Sequence, residues 1–315
     1  MDEQQIKQMI DKVRNNIRSV VVGQERAIDL LLVALVSRGH VLLEDVPGIG
    51  KTTLASALAR SLSLKFSRIQ FTPDVMPSDI TGFNMYNPKE GEFQFQPGAV
   101  MANLILADEI NRCSPKTQSS LLEAMQDRQV TVDGVTYTLP EPFMVVATQN
   151  SVEQIGTYPL PEAQLDRFMI KSSLRYPSTE EEVKIYATHA GHSPLENLEA
   201  VLTLDQLLDL QESAIDTYVA PSLYEYVARI AQETREHGQV QLGVSPRGAL
   251  MLVQAAKGRA LIEGRDYVIP DDIQYLAPFC LAHRLMLHSD SELAGASTTA
   301  VIEEILQRTP VPKQS

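Results

Sequence analysis

The strongest constraint on the fold is a short apolar run followed by a glycine-containing turn and a helical stretch rich in Ala and Leu. The composition of residues 40–44 predicts a buried strand, and that of residues 51–62 predicts a helix. The turn between them contains Gly48 and Gly50, which lack a Cβ atom and let backbone N–H groups point inward around an anion. A helix N-terminus directly after the turn adds partial positive charge. The segment therefore predicts a phosphate-binding loop.

One position departs from the usual pattern of such loops. The pattern has a glycine separated by four residues from the final Gly-Lys-Thr, and Asp45 occupies that place. The alternative is a helix that merely starts Gly-Lys-Thr and carries a surface lysine. The end of the motif makes most of the phosphate contacts, so we expect Lys51 to reach the β- and γ-phosphates and Thr52 to bind Mg²⁺. The remaining residues predicted to bind nucleotide are Pro47, Ile49 and Thr53.

A second apolar run ends in two carboxylates. Residues 103–108 predict a strand that ends at Asp108, and Glu109 follows it. Ligands of open α/β sheets bind outside the carboxyl ends of the strands. We therefore expect Asp108 to hold Mg²⁺, directly or through water, and Glu109 to orient and polarise an attacking water. An isolated acidic pair would be explained as a solvated turn, but downstream of a phosphate loop the pair predicts a magnesium–nucleotide site.

Strand and helix patterns alternate through the first part of the chain. Further strands are predicted at residues 64–71, 143–148 and 168–174, with helical patterns between several of them. This alternation predicts an α/β fold with a parallel five-stranded sheet and helices on both faces. Residues 72–100 and 129–139 interrupt the alternation, and both predict hairpins inserted into the α/β core.

The pattern changes after Leu174. From there to about residue 285 the periodicity is helical, and no strand is predicted. We therefore predict an α/β nucleotide-binding domain with an N-terminal helix over residues 1–176. An all-helical domain is predicted over residues 177–288. A tail with one short helix is predicted over residues 289–315.

Composition bounds the class of protein. The chain of 315 residues carries a net charge of −13, which argues against binding to duplex nucleic acid. The apolar run at residues 30–36 is too short to span a bilayer, and the polar N-terminus does not resemble a signal peptide. Cys113 and Cys280 are far apart and lie outside any paired motif. We expect a cytoplasmic protein without a membrane span.

Taken together, these segments resemble the MoxR family of AAA+ ATPases. The resemblance extends from about residue 22 to residue 283, and in this family Asp often occupies the position of Asp45. It departs at Ser151, where a proline commonly follows the sensor asparagine. The resemblance implies an AAA+ phosphate-loop core with inserted hairpins and a helical lid domain. Its most specific stretches are LLEDVPGIGKTTLA, FQPGAVMANLILADEINRCSPKTQSSLLEAMQDRQVTVDG, ATQNSVEQIGTYPLPEAQLDRF and VSPRGALMLVQAAKGRALIEGRDYVIPDDI.

The resemblance also implies roles for three polar residues. Asn150 resembles sensor 1, whose amide holds the γ-phosphate or the lytic water; the alternative is an asparagine that caps a turn. Arg167 resembles an arginine finger supplied to a neighbouring subunit's nucleotide; the alternative is a surface ion pair. Arg247 resembles sensor 2, acting within its own subunit or across an interface.

Other matched positions are less specific. Val22 and Gly23 correspond to the segment on the adenine side of the family's nucleotide site. Arg112 is either an interface residue or a simple surface arginine. The inserted hairpins correspond to elements that face a central pore or a substrate in such ATPases. Their aromatic residues either grip a client or pack within the hairpin: Phe83, Tyr86, Phe93 and Phe95.

The resemblance implies a chaperone-like motor that binds ATP and Mg²⁺, hydrolyses ATP and remodels or activates partner proteins or complexes. It implies a homo-oligomeric ring, expected to be a hexamer, and partners such as von Willebrand factor A domain proteins or a client enzyme. The alternatives are a magnesium-chelatase-like subunit and a nucleic-acid-directed motor. Residues 129–139 contain no Lys or Arg, which counts against a DNA motor.

Overall fold

The fold is described from a computed structural model, which covers residues 2–45, 48–150, 156–189 and 194–312. Pro47 and Ser151 lie outside these described residues.

The described residues form thirteen α-helices. None of them is both long enough and apolar enough to cross a membrane. The helices are α1 (Glu3–Arg18), α2 (Glu25–Val36), α3 (Lys51–Ser61), α4 (Pro77–Thr81), α5 (Pro115–Asp127), α6 (Glu162–Leu165), α7 (Thr179–His189), α8 (Leu204–Asp216), α9 (Pro221–Glu236), α10 (Pro246–Ile262), α11 (Pro270–Leu281), α12 (Ser289–Leu293) and α13 (Thr298–Arg308).

Eleven strands accompany these helices in the described part of the chain. They are β1 (Val41–Asp45), β2 (Phe66–Gln70), β3 (Gly82–Asn87), β4 (Glu92–Pro97), β5 (Leu104–Asp108), β6 (Gln129–Val132), β7 (Val135–Thr138), β8 (Met144–Asn150), β9 (Ile170–Ser173), β10 (Val240–Leu242) and β11 (Met286–Leu287).

Five of these strands form the predicted parallel sheet. Their order is β2-β5-β8-β1-β9, and each neighbouring pair is parallel. All five coincide with the runs predicted from the sequence, to within about two residues at each end. Because every strand points the same way, the carboxyl ends of β5, β8 and β1 meet at one edge of the sheet. The fold-class prediction of a five-stranded parallel core is confirmed.

Side chains of the central strands alternate between two apolar clusters, one on each face. Leu42 and Val145 belong to the cluster that includes α5 and the base of the hairpins. Leu43 and Val146 belong to the cluster that includes α1, α2, α3 and the helical second domain. This two-sided burial explains why the strands are continuous apolar runs. It also joins the second domain to the sheet through one shared core.

The two inserted hairpins are present as predicted. β3 pairs with β4 and β6 with β7, both antiparallel. The second hairpin turns at Asp133 and Gly134, whose φ angles of 49° and 83° give the two positive values that a type I′ turn requires.

The second domain is helical, with one addition that the sequence did not predict. Val240 and Leu242 in β10 pair with Leu287 and Met286 in β11, so the prediction of no strand before residue 285 was wrong at this point. Strands of three and two residues are too short to show a periodicity of two.

The segment after residue 288 is more ordered than predicted. It contains two helices, α12 and α13, where one short helix was expected. Val301, Ile302 and Ile305 of α13 are buried, and the helix packs against α9 and α11. The segment therefore contributes to the core of the helical domain.

A buried histidine at the start of β1 gives the fold a testable pH dependence. His40 Nδ1 accepts from the backbone N–H of Val145 at 3.0 Å, and Nε2 lies 3.2 Å from the carbonyl oxygen of Met125. Burial lowers the pKa of His40 to about 4 from an ordinary 6.5. The unfolded chain therefore binds a proton that the folded chain does not, and stability falls as the pH decreases from about 6.5 towards 4.

We expect His40→Gln, which keeps one donor and one acceptor without titrating, to lose less stability on acidification. The difference in the free energy of unfolding between the wild type and the variant should change by up to about 3 kcal/mol between pH 7 and pH 4, because one pKa unit corresponds to about 1.4 kcal/mol. Urea unfolding across this range measures it. Parallel pH profiles for the wild type and the variant would contradict the assignment to His40.

Candidate functional site

The predicted phosphate loop connects the carboxyl end of β1 to the N-terminus of α3. Gly48 and Gly50 have φ angles of 87° and 88°, which L side chains rarely adopt. A Cβ atom built on either glycine meets no heavy atom within 4 Å, so the space beside the turn is open. The first amides of α3, which begins at Lys51, have no partner within the helix. An open turn that leads into a helix N-terminus fits an anion such as a phosphate.

The other predicted residues of this loop lie close by. Ile49 packs against the apolar core, whereas Thr52 and Thr53 are half-buried in the first turn of α3.

Asp108 is a buried carboxylate at the end of β5, where three elements supply its partners. Thr148 Oγ1 donates to Oδ1 at 2.7 Å, and Arg68 Nη2 donates to Oδ2 at 2.8 Å. Lys51 Nζ lies 3.5 Å from Oδ1. Burial alone raises the pKa of Asp108, but these hydrogen bonds and the charges of Arg68 and Lys51 bring it below its ordinary value. The carboxylate is therefore ionised at neutral pH and is suited to a hard cation such as Mg²⁺.

Glu109 adopts a left-handed backbone conformation, with φ at 56° and ψ at 49°. This conformation costs a non-glycine residue about 1–2 kcal/mol. The backbone N–H of Glu109 donates to Thr148 Oγ1 at 2.8 Å. Its Oε2 accepts from Gln70 Nε2 at 2.9 Å and lies 3.2 Å from Arg112 Nε. The turn therefore directs the Glu109 side chain along the carboxyl edge of the sheet, where Gln70 and Arg112 hold it.

Asn150 ends β8, the strand between the phosphate-loop strand and the strand of the acidic pair. It pairs in register with Asp45 of β1, so it lies at the same edge as the loop. Asn150 is buried, and its carbonyl oxygen accepts from Asn111 Nδ2 at 3.2 Å. The structure thus brings the predicted sensor residue to the site.

The adenine-side segment also reaches this edge. Gly23, with Gln24 beside it, lines a cavity of about 340 Å³ together with Ser173 and Arg175 at the end of β9. Ser173 pairs in register with Glu44 of the phosphate-loop strand. Val22, which precedes this glycine, is half-buried. The cavity therefore lies beside the carboxyl end of β1, where the phosphate loop starts.

Arg175, which lines this cavity, also forms an ion pair. Arg175 donates to both oxygens of Glu181, at 2.8 and 2.6 Å, and this interaction lowers the pKa of Glu181 to about 2. A Cβ atom on Gly23, whose φ is 76°, would lie 2.6 Å from the Glu181 carboxyl carbon. Any other side chain at this position would be strained by the positive φ and would displace the Glu181 carboxylate.

Arg167 and Arg247 lie elsewhere, at the amino edge of the sheet. They line one cavity of about 150 Å³ together with His40, which immediately precedes β1. Arg167 likewise precedes β9, and its Nη1 donates to the carbonyl oxygen of Leu122. The phosphate loop follows β1 at its other end, and five strand residues span about 17 Å. The structure therefore brings the two arginines to each other and separates both from their own phosphate loop.

Three partners of the acidic pair were missed by sequence reasoning: Arg68, Gln70 and Thr148. Arg112, left open between two interpretations, contacts Glu109. The available signal was weak: Arg68 and Gln70 are polar residues at alternate positions of β2, and Thr148 begins the polar end of β8. These residues can be recognised as partners of β5 only once the strand order is known.

Within the described ranges, no group of three or more His, Cys, Asp or Glu side chains could hold a metal ion. Cys280 and His283, one helical turn apart, are both buried. Burial raises the pKa of Cys280 to about 12 and holds that of His283 well below its ordinary value.

Two family models match the chain. Residues 40–170 match the ATPase family associated with various cellular activities (AAA), and residues 232–305 match the AAA lid domain. A crystal structure from Cytophaga hutchinsonii, whose protein carries a provisional description as an ATPase, superposes with a TM-score of 0.92. It is 39% identical in sequence, and the match covers 99% of this chain and 97% of that one.

Several curated proteins are similar over nearly the whole chain. Chaperone MoxR1 of Mycobacterium tuberculosis is 44% identical over 306 residues, which cover 94% of this chain and 81% of the relative. Protein MoxR of Methylorubrum extorquens is 33% identical over 331 residues, covering 96% and 94%. The uncharacterized protein YeaC of Bacillus subtilis is 52% identical over 306 residues, covering 97% and 96%.

Together with the parallel sheet and its helical lid, these matches place the chain among the AAA+ ATPases. Since two relatives that carry the MoxR name share 44% and 33% of its residues over almost its full length, the chain belongs to the MoxR family. The resemblance inferred from the sequence motifs is confirmed. The roles of the individual site residues remain predictions.

Thr148 provides a test of how the acidic pair is held, because its hydroxyl contacts both residues. We expect Thr148→Val to lower kcat for ATP hydrolysis about tenfold, since a loss of about 1.4 kcal/mol corresponds to tenfold in rate. Nucleotide affinity should change little, because Lys51 and the glycine turn are untouched. Steady-state hydrolysis and nucleotide titration measure the two effects. Thr148→Ser keeps the hydroxyl and is the matched control; equal rates for both variants would contradict the bridging role.

Proposed function

We propose that this MoxR-family protein is a magnesium-dependent ATPase that acts as a homo-oligomeric ring on partner proteins. The observation that carries the proposal is the ion pair of 3.5 Å between Lys51 and Asp108, directly beside the open glycine turn. A cation for phosphate oxygens and an ionised carboxylate for a divalent cation are thus held side by side. The matches to the AAA family and to a chaperone-named relative support the same conclusion.

In this proposal each residue at the carboxyl edge has a separate task. Lys51 and the amides of residues 48–52 bind the β- and γ-phosphates. Thr52 and Asp108 supply the oxygen ligands for magnesium, which when bound would neutralise charge on the phosphate oxygens. Glu109 polarises the attacking water, and the Asn150 amide orients that water or the γ-phosphate.

The placement of Arg167 and Arg247 supports assembly into a ring. Both belong to the edge opposite their own phosphate loop, so they act on a nucleotide only if it is bound by another subunit. There they would stabilise the negative charge that develops on the transferring phosphoryl group. A head-to-tail contact between opposite edges closes into a ring, for which six subunits is the expected number. This arrangement supports a role across the interface for Arg247 as well as for Arg167.

The inserted hairpins are the proposed contact for a client. Phe95 stacks on Tyr137 of the other hairpin with ring centroids 3.9 Å apart, so it serves packing. In contrast, Phe83, Tyr86 and Phe93 are exposed by 46%, 51% and 71%. Exposed aromatic residues of this size are typical of protein-binding surfaces. We propose that they engage a client enzyme or a von Willebrand factor A domain protein.

The catalytic assignment is tested by Glu109→Gln. We expect this variant to bind ATP about as well as the wild type, because the amide preserves shape, while hydrolysis falls by about 10²–10⁴-fold with the loss of the base. Lys51→Ala should instead lose nucleotide affinity. Calorimetric titration and phosphate release distinguish the two. Hydrolysis at the wild-type rate by Glu109→Gln would remove Glu109 from its role, and a wild type that binds neither ATP nor ADP would overturn the proposal.

The ring is tested by mixing two inactive variants. Arg167→Ala subunits keep their own phosphate loop, and Lys51→Ala subunits keep Arg167. If the finger acts across the interface, mixed assemblies should recover part of the activity because some sites combine an intact loop with an intact finger. Hydrolysis is measured over a series of mixing ratios. Absence of recovery at every ratio would contradict a finger supplied by a neighbour.

A further inference from the structure

Arg284 is a buried cation between the helical domain and the sheet. It lies in the 3-10 turn that follows α11, and its side chain is only 2% exposed. Nε donates to Asp166 Oδ1 at 2.8 Å. Nη2 donates to the carbonyl oxygens of Asp166 at 3.1 Å and Phe168 at 2.7 Å, and Nη1 donates to the carbonyl oxygen of Cys280. One guanidinium therefore joins the lid to the loop that precedes β9.

These contacts enclose Arg167 on both sides. The two carbonyl groups that Arg284 binds belong to the residues directly before and after Arg167. His283, from the same turn, adds a contact of 3.0 Å between its Nε2 and the oxygen of Phe168. The N–H of Phe168, which belongs to the peptide group after Arg167, donates to the carbonyl oxygen of Leu165 at 3.1 Å. Because the backbone before and after Arg167 is held in this way, the direction in which its side chain leaves the backbone is held too.

The same guanidinium packs against the start of α10, the helix that carries Arg247. A Cβ atom on Gly248, the next residue, would lie 2.5 Å from Arg284 Cδ and 2.8 Å from Nε. Met251 Sδ, one turn later, lies 2.7 Å from Nη2. Arg284 thus contacts the backbone beside both arginines that line the shared cavity at the amino edge.

A contribution to the stability of the fold does not by itself explain why the charged side chain of Arg284 is buried here. Burial lowers the pKa of Arg284, which reflects the cost of removing the cation from water. An apolar side chain of similar volume often replaces a buried ion pair with little loss of stability. A guanidinium differs from such a side chain in having several donors in a fixed planar arrangement, and these can hold separate backbone groups in one geometry.

We propose that Arg284 is a positioning residue for ATP hydrolysis in the neighbouring subunit: it sets the relative geometry of Arg167 and Arg247. The inference rests on the proposed function, in which these two arginines act across the interface. Arg284 makes no contact with the nucleotide in this scheme and acts only through the two side chains that it holds.

The first experiment replaces the guanidinium by an apolar chain of similar length, Arg284→Met. We expect kcat for ATP hydrolysis to fall about 100-fold, because a misplacement of about 1 Å far from the chemistry has an effect of that size. The affinity of the subunit's own phosphate loop for ATP should stay within about threefold. Arg284→Lys, which keeps the charge but not the planar donors, should show a similar loss of kcat.

The matched control is Arg265→Met. Arg265 also forms an ion pair in the lid, with the buried Asp272 at 2.7 and 2.8 Å, but it has no contact with residues 166–168 among those the structure describes. The Arg265→Met substitution should lower the melting temperature, while kcat stays close to that of the wild type. An equal loss of kcat in both variants would reduce Arg284 to a general stabiliser of the lid and overturn the proposal.

Mixing separates positioning from damage to the subunit's own site. Arg284→Met subunits mixed with Lys51→Ala subunits should regain activity, as is expected of Arg167→Ala subunits, because the intact neighbour supplies the correctly held arginines. Recovery with Arg167→Ala but not with Arg284→Met would overturn this inference and leave the ring intact. Failure of both mixtures would overturn the proposed function, and the inference with it.

If Arg284→Met does not fold, Gly248→Ala gives the same test. Alanine suits a helix better than glycine does, but its methyl group displaces the Arg284 side chain. A loss of kcat that Lys51→Ala subunits restore supports the proposal. A wild-type kcat, or a loss that mixing cannot restore, overturns it.

Discussion

The carboxyl edge of the sheet depends on the neutralisation of one buried carboxylate, that of Asp108. Removing this charge from water is unfavourable unless charged and polar partners surround it. Those partners come from β2, β8 and the first turn of α3, as Arg68, Thr148 and Lys51. The register of three parallel strands and the start of the helix are therefore tied to a single ionised group. The end of the glycine turn at Gly50 belongs to the same arrangement, because Lys51 follows it directly.

Much of this architecture could be predicted from the sequence, since it is local. The strand, turn and helix around Lys51 are contiguous, and Asp133-Gly134 specifies its own turn. Arg68, Gln70 and Thr148 are different, because nothing near them marks them as partners of Asp108 and Glu109. Their role follows from the strand order β2-β5-β8, in which neighbours are separated by about 40 residues of chain. Periodicity predicts that strands exist, but not which strands become neighbours.

The separation of the arginines from the phosphate loop has the same origin. Arg167 was assigned to a neighbouring subunit by family resemblance alone, and the role of Arg247 was left open. Parallel strands place everything that precedes them at one edge and everything that follows them at the other. Arg167 and His40 both precede strands, and Lys51 follows one. A single chain consequently carries two halves of the proposed site that face away from each other. A sequence cannot show this until the direction of each strand is known.

The joining of the two inserted hairpins has an evolutionary consequence. Phe95 and Tyr137 stack with their ring planes 11° from parallel, and Asn84 Nδ2 donates to Asp133 Oδ2 at 2.8 Å. Insertions that are distant in the gene thus share two matched pairs of side chains. A substitution at one residue of a pair removes the contact that the other residue makes. In related chains we expect these positions to covary: where one hairpin has lost its aromatic ring, the partner position on the other hairpin should be substituted as well.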